Sequence, residues 1–82
     1  MSVMVYSKPA CVQCNSTYRK LDKHGISYQT VDVSQDAEAF DFVQSLGYAQ
    51  VPVVVTDEDH WSGFNPGKIE ALAAAEIEES AA

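Results

Sequence analysis

Cys11 and Cys14 are the only two cysteines of the chain, and Val12 and Gln13 separate them. Thiols at that spacing can close a small disulfide ring, help hold a metal, or cycle between dithiol and disulfide. A permanent cross-link over a loop of about four residues restrains the unfolded chain little, so it would be a poor structural staple. A zinc site could be completed by His24 and His60, since two cysteines and two histidines form a legitimate tetrahedral set. No second closely spaced pair supports that reading. His24 would also fall roughly 15 Å from Cys14 along a helix rising about 1.5 Å per residue. Redox cycling is the chemistry the spacing favours.

A working dithiol needs one sulfur held as a thiolate, and the flanking sequence supplies the means. Residues 2–6 are rich in β-formers and read as a short buried strand that Pro9 ends. From Cys11 a helix is predicted to about His24, with Thr17, Tyr18 and Leu21 as its inner stripe and Gly25 as its C-terminal cap. Both sulfurs then sit in the first turn, where unpaired backbone N–H groups and the helix dipole favour negative charge. Cys11, nearer that positive end and the more exposed, is the expected attacking thiolate. Cys14, three residues on and on the same face, is expected to resolve a mixed disulfide formed by Cys11. Lys8 adds a positive charge close by, although a lysine there can equally be a plain surface residue.

The remaining elements follow from periodicity and turn chemistry. Residues 26–33 read as a second strand; Ser34 or Asp36 caps a helix through Leu46 that ends at Gly47. Ala39, Phe42, Val43 and Leu46 form its apolar face, widened by Phe40. Val51 to Thr56 is a β-branched strand, Asp57-Glu58-Asp59 a polar hairpin turn, and His60 to Phe64 an antiparallel return. Asn65 caps a last helix with Pro66 in its first position, and Ile69, Leu72 and Ala73 face the sheet. The order βαβαββα describes an α/β domain: a mixed four-stranded sheet flanked by three helices, spanning residues 1–75, with an acidic tail over 76–82. A right-handed crossover makes the first two strands parallel. A Cys-x-x-Cys pair opening the helix of such a unit is the setting in which the motif reads as redox.

Two further segments could handle a partner. Proline has no N–H, so Val51-Pro52 must sit at a strand start or edge, and a cis peptide is predicted there. The Val51 backbone would then lie beside the sulfurs, free to pair with an extended substrate segment; the alternative is an ordinary trans proline. In Trp61-Ser62-Gly63-Phe64 the two aromatics could simply fill the core edge. Alternatively, Gly63 admits another backbone and an exposed aromatic makes a docking surface.

With 82 residues, 46% of them hydrophobic, the chain has room for one domain with one modest core. Five basic residues against twelve acidic ones give a net charge of −7, which excludes the electrostatic footprint of nucleic-acid binding and disfavours anionic membranes. Val3-Met4-Val5-Tyr6 is too short for a secretory h-region and lacks a basic lead-in, and no membrane-spanning run is present. A cytoplasmic monomer is expected, with no bound cofactor other than the redox-active cysteine pair itself.

On the Cys-Val-Gln-Cys site, the Lys8-Pro9 lead-in, the Val51-Pro52 step and Trp61-Ser62-Gly63-Phe64, the sequence resembles the NrdH-redoxins over essentially its whole length. That resemblance implies a thioredoxin-like fold and a hydrogen donor that is glutaredoxin-like in sequence but thioredoxin-like in activity. Its implied partners are NADPH-dependent thioredoxin reductase, which reduces it, and the large subunit of class Ib ribonucleotide reductase, which it reduces. The implied catalytic pair is Cys11 and Cys14, and the implied partner-facing set is Lys8, Val12, Gln13, Val51, Pro52, Trp61, Ser62, Gly63 and Phe64. The family usually carries arginine after the phenylalanine, where this chain has Asn65, which keeps a helix cap but not the charge. Glutathione-using glutaredoxins differ: they typically carry Pro-Tyr between the cysteines and a Gly-Gly turn with an acidic cap. Val12-Gln13 and Trp61-Ser62-Gly63-Phe64 stand in those places here.

Overall fold

The computed structural model describes the backbone of residues 3–81 and the side chains of residues 3–75. The elements are β1 (Met4–Ser7), α1 (Val12–Lys23), β2 (Gln29–Asp32), α2 (Ala37–Ser45), β3 (Val53–Val55), β4 (His60–Ser62) and α3 (Pro66–Ala81), in the expected βαβαββα order. The sheet runs β2-β1-β3-β4, with β1 parallel to β2 and antiparallel to β3, and β3 antiparallel to β4.

Side chains alternate across this sheet and divide the core in two. Val5 stands opposite Val54, and Val54 opposite Trp61, so the three share a face. That face is closed by Leu21 of α1 and by Ile69 and Leu72 of α3, with Val3 and Ile26 completing the buried cluster. Tyr6 and Val53, opposite one another in register, point the other way, and the Tyr6 ring lies 5.5 Å from Phe42 of α2. Ile69, Leu72 and Ala73 therefore take the inward positions expected of them.

The strands are shorter than their β-branched runs suggest, for local reasons. Ile26 N–H bonds the Leu21 carbonyl at 3.0 Å to close α1, so β2 starts only at Gln29. Pro52 cannot donate to a ladder, which delays β3 to Val53. Gly63, at φ 81°, swings the chain out of β4 before Phe64. At the other end, β1 extends one residue further than expected, to Ser7, while the expected start at residue 2 lies outside the described residues.

Helix α2 is capped by Asp36, whose carboxylate accepts the Ala39 N–H at 3.1 Å. Ser34 instead gives both its N–H and its hydroxyl to Asp32, at 2.8 and 2.6 Å. Only Ala39 and Val43 of the expected apolar face are buried; Phe40 and Phe42 remain 47% and 40% exposed. A nine-residue helix lying alone on its side of the sheet covers a narrow strip, and no second helix shelters its flanks. Asn65 caps α3 as expected, accepting the Lys68 N–H at 3.1 Å. The boundary expected at residue 75 falls inside α3, and the side chains of the acidic tail lie outside the described residues.

Ile69 is fully buried at the junction of α1, α3 and the sheet. Ile69→Ala is expected to lower unfolding free energy by about 2–5 kcal/mol, a large share of the ~5–15 kcal/mol typical of a domain. Urea denaturation followed by circular dichroism measures it.

Candidate active site

The dithiol is set where β1 hands over to α1. Ala10 adopts φ 58°, a left-handed conformation costing an L-residue roughly 1–2 kcal/mol, and turns the chain from Pro9 into the helix. Cys11 follows in an extended conformation as the N-cap, and its Sγ accepts the Cys14 N–H at 3.1 Å. A helix N-cap usually offers an oxygen to one of the orphan N–H groups; here the reactive sulfur fills that role. Cys11 and Cys14 are joined by a disulfide, with Cα atoms 5.2 Å apart. Cys11 is partly exposed, whereas Cys14 is 1% exposed, so an incoming sulfur can reach only the first. The N–H that contacts Cys11 Sγ is placed to stabilise the same sulfur as an anion.

Behind the pair, the buried Thr17 hydroxyl donates to the Gln13 carbonyl at 2.9 Å, which satisfies a polar group inside the core. The Gln13 side chain turns outward and spans to the last turn of the fold: its Oε1 accepts the Phe64 N–H at 3.1 Å. A Cβ on Gly63 would come within 3.3 Å of that oxygen, so the turn is glycine both for its φ of 81° and for Gln13's approach. From the same turn the Gly63 N–H donates to the Pro52 carbonyl at 2.8 Å, and the Ser62 hydroxyl to the Gln50 carbonyl at 3.3 Å. Three segments far apart in sequence are thus laced together, with Gln13, the residue before Cys14, as one of their tie points.

Val51-Pro52 is cis, with Pro52 fully buried and Val51 half-buried. Among the described residues no backbone hydrogen bond engages Val51 outside the strands, which leaves its N–H and C=O open. Lys8 is exposed and lines a groove with Phe40, Val43, Tyr48, Gln50 and Val51. Tyr48, which the sequence did not single out, places its hydroxyl 2.7 Å from His60 Nδ1 and so braces the loop before Pro52 against β4. Its position between Gly47 and the Val51-Pro52 step was the available signal.

Two expectations need correction. Trp61 is 7% exposed and belongs to the core, because β4 alternation puts it on the face of Val54 while His60 and Ser62 point out. The exposed aromatic of the turn is Phe64, at 39%, and Val12 at the start of α1 is exposed at 79%. Pro52 contributes no accessible side chain, and its carbonyl is taken by Gly63. Within the chain, Gly63 lies against the Gln13 side chain.

His24 ends α1 as its C-cap and His60 is engaged by Tyr48, so neither joins the cysteines. Among the described residues no three His, Cys, Asp or Glu side chains are grouped as a metal site would need. No helix of the described residues is long and apolar enough to cross a membrane.

A partly exposed Cys11 over a sealed Cys14, at the start of a helix on this sheet, defines a thiol-disulfide oxidoreductase of thioredoxin-like fold. The Glutaredoxin family model matches residues 3–61. The glutaredoxin-like protein NrdH of Salmonella typhimurium is 36% identical over 88% of this chain and 89% of its own. That of Lactococcus lactis is 32% identical over 87% and 99%. A solved structure described as giving the basis for the thioredoxin-like activity profile of the NrdH-redoxin from Escherichia coli superposes with a TM-score of 0.85 at 33% identity, covering 88% of this chain and 95% of that one. The chain belongs to the glutaredoxin-like NrdH family.

Gln13→Ala removes the acceptor of the Phe64 N–H. Exchange of the Phe64 amide with deuterium is expected to accelerate, and stability to fall by about 0.5–1.5 kcal/mol, the usual worth of one such bond. Unchanged protection at Phe64 would show that the turn holds without Gln13.

Proposed function

We propose that the protein relays electrons from NADPH-dependent thioredoxin reductase to the large subunit of a class Ib ribonucleotide reductase. The Cys11 thiolate attacks a partner disulfide, forms a mixed disulfide, and expels one partner thiolate, which takes up a proton. Cys14 loses its proton and attacks Cys11 Sγ, and the second partner thiolate leaves. The partner has gained two electrons and two protons, and the protein holds the Cys11–Cys14 disulfide. Thioredoxin reductase restores the dithiol by the same exchange in reverse.

The observation that carries this reading is how the turn before α3 uses its own N–H groups. A helix N-terminus is a natural seat for an anion such as a glutathione carboxylate. Here the Phe64 N–H goes to Gln13, the Lys68 N–H to Asn65 Oδ1 and the Ile69 N–H to the Asn65 carbonyl, while Pro66 has none, which leaves Asn65 and Gly67 as the N–H groups of the turn without an acceptor among the described residues. With these N–H groups engaged, the turn offers a glutathione carboxylate few donors. The exposed Val12 and Phe64 and the open Val51 backbone suit a polypeptide instead. The NrdH relatives and the thioredoxin-like activity profile described for the Escherichia coli protein support the same assignment.

The test is a coupled assay following NADPH oxidation with the purified protein, thioredoxin reductase and oxidised ribonucleotide reductase. Sustained turnover is expected, with little when glutathione and glutathione reductase replace thioredoxin reductase. Turnover with the glutathione system alone would overturn the proposal.

A further inference from the structure

The chain carries five basic residues, and three of them, Arg19, Lys20 and Lys23, lie on one side of α1. At 100° per residue they share a stripe with Val12, Gln13 and Ser16, so the stripe begins beside Cys11 and runs down the helix. Phe64 forms its wall, and Ser16, Arg19, Lys20, Lys23 and Phe64 line one shallow groove. Among the described residues, Arg19 and Lys23 have no ion pair. Lys20 holds Glu70 of α3 at 3.0 Å. That carboxyl sits below the ordinary range through its bond to Lys20, with smaller contributions from Lys20's charge and from His24 and Lys23. Asp22, the one acid of α1, borders the stripe on the Arg19 side, about 60° round the helix at 100° per residue, where it acts on Tyr28. A protein of net charge −7 thus keeps three of its five cations in a strip on one side of the helix that opens at its reactive sulfur.

We infer that this strip docks the polypeptide whose disulfide Cys11 attacks, and that it selects a segment with an apolar residue next to the cysteine and acidic residues further along. The inference rests on the proposed role as a reductant of protein disulfides and names the substrate class. Val12, 79% exposed, and Phe64 contact the apolar residue. The rise of about 1.5 Å per residue puts Arg19 about 12 Å and Lys23 about 18 Å beyond Cys11. An extended peptide covering about 3.3 Å per residue reaches them with acids about four to six residues from its cysteine. A long polyanion such as nucleic acid would meet repulsion from the rest of the surface. A short segment with two or three acids meets only the strip.

The experiment uses the chemically reduced protein in single turnover, with no reductase present. Two disulfide peptides are compared, identical except that residues four to six from the cysteine are glutamate in one and glutamine in the other. A small neutral disulfide, hydroxyethyl disulfide, is the control. The glutamate peptide is expected to react about threefold to tenfold faster at low salt, a margin that shrinks in 0.5 M salt because exposed pairs are screened. Arg19→Glu/Lys23→Glu is expected to abolish or reverse the margin and to leave the rate with hydroxyethyl disulfide unchanged. Arg19→Gln/Lys23→Gln, which disturbs the helix end less, should remove the margin without reversing it. Equal rates for both peptides with the wild-type protein, or a margin that survives both variants, would overturn the docking inference alone. Reaction with hydroxyethyl disulfide but with neither peptide would overturn the underlying reading of a protein-disulfide reductant as well.

Discussion

The contact between Cys11 Sγ and the Cys14 N–H, at 3.1 Å, is the interaction on which the rest of the site depends. It exists because Ala10, in a left-handed conformation, turns the chain so that Cys11 becomes the N-cap of α1. Helix starts need an acceptor for their first N–H groups, and supplying a sulfur there serves capping and reactivity together. The i, i+3 spacing then puts Cys14 within bonding reach of Cys11, while the same turn of helix buries it. One sulfur is open and one sealed, so an incoming partner can reach Cys11 but not Cys14.

Around that pair the protein presents open backbone and exposed apolar side chains. The bonds Gln13–Phe64, Gly63–Pro52 and Ser62–Gln50 join α1, the turn before α3 and the loop before β3 into one frame. Because these groups satisfy each other, the frame leaves the Val51 backbone, Val12 and Phe64 as its outward features. Lys68 and Asp59 add a 2.7 Å ion pair between α3 and the β3–β4 turn, and that pair holds the Asp59 carboxyl below the ordinary range. Being largely exposed to solvent, this tether positions the turn more than it stabilises the domain.

Element order, sheet composition, the cap at Asn65, the cis Val51-Pro52 bond and the placing of both cysteines at the start of α1 were legible in the sequence, and the α2 cap was narrowed to Ser34 or Asp36, because each follows from local rules of capping, proline chemistry and periodicity. What was not legible depends on what packs across from a residue. Trp61 looks like a docking aromatic until strand register sets it opposite Val54, and Phe40 looks like core until α2 proves to lie alone on its face. Gln13 and Gly63 are 50 residues apart, and no periodicity links them. The basic strip on α1 was hidden by the overall acidity: net charge says nothing of how five cations are distributed.

The central claim, that Cys11 attacks and Cys14 resolves, is tested most directly by trapping the mixed disulfide. Reduced Cys14→Ser and Cys11→Ser proteins are each mixed with an oxidised protein substrate, and the covalent adducts are measured by non-reducing electrophoresis and mass spectrometry. The account predicts a stable adduct through Cys11 in Cys14→Ser and almost none in Cys11→Ser, whose remaining sulfur is buried. Equal trapping by the two variants would contradict it.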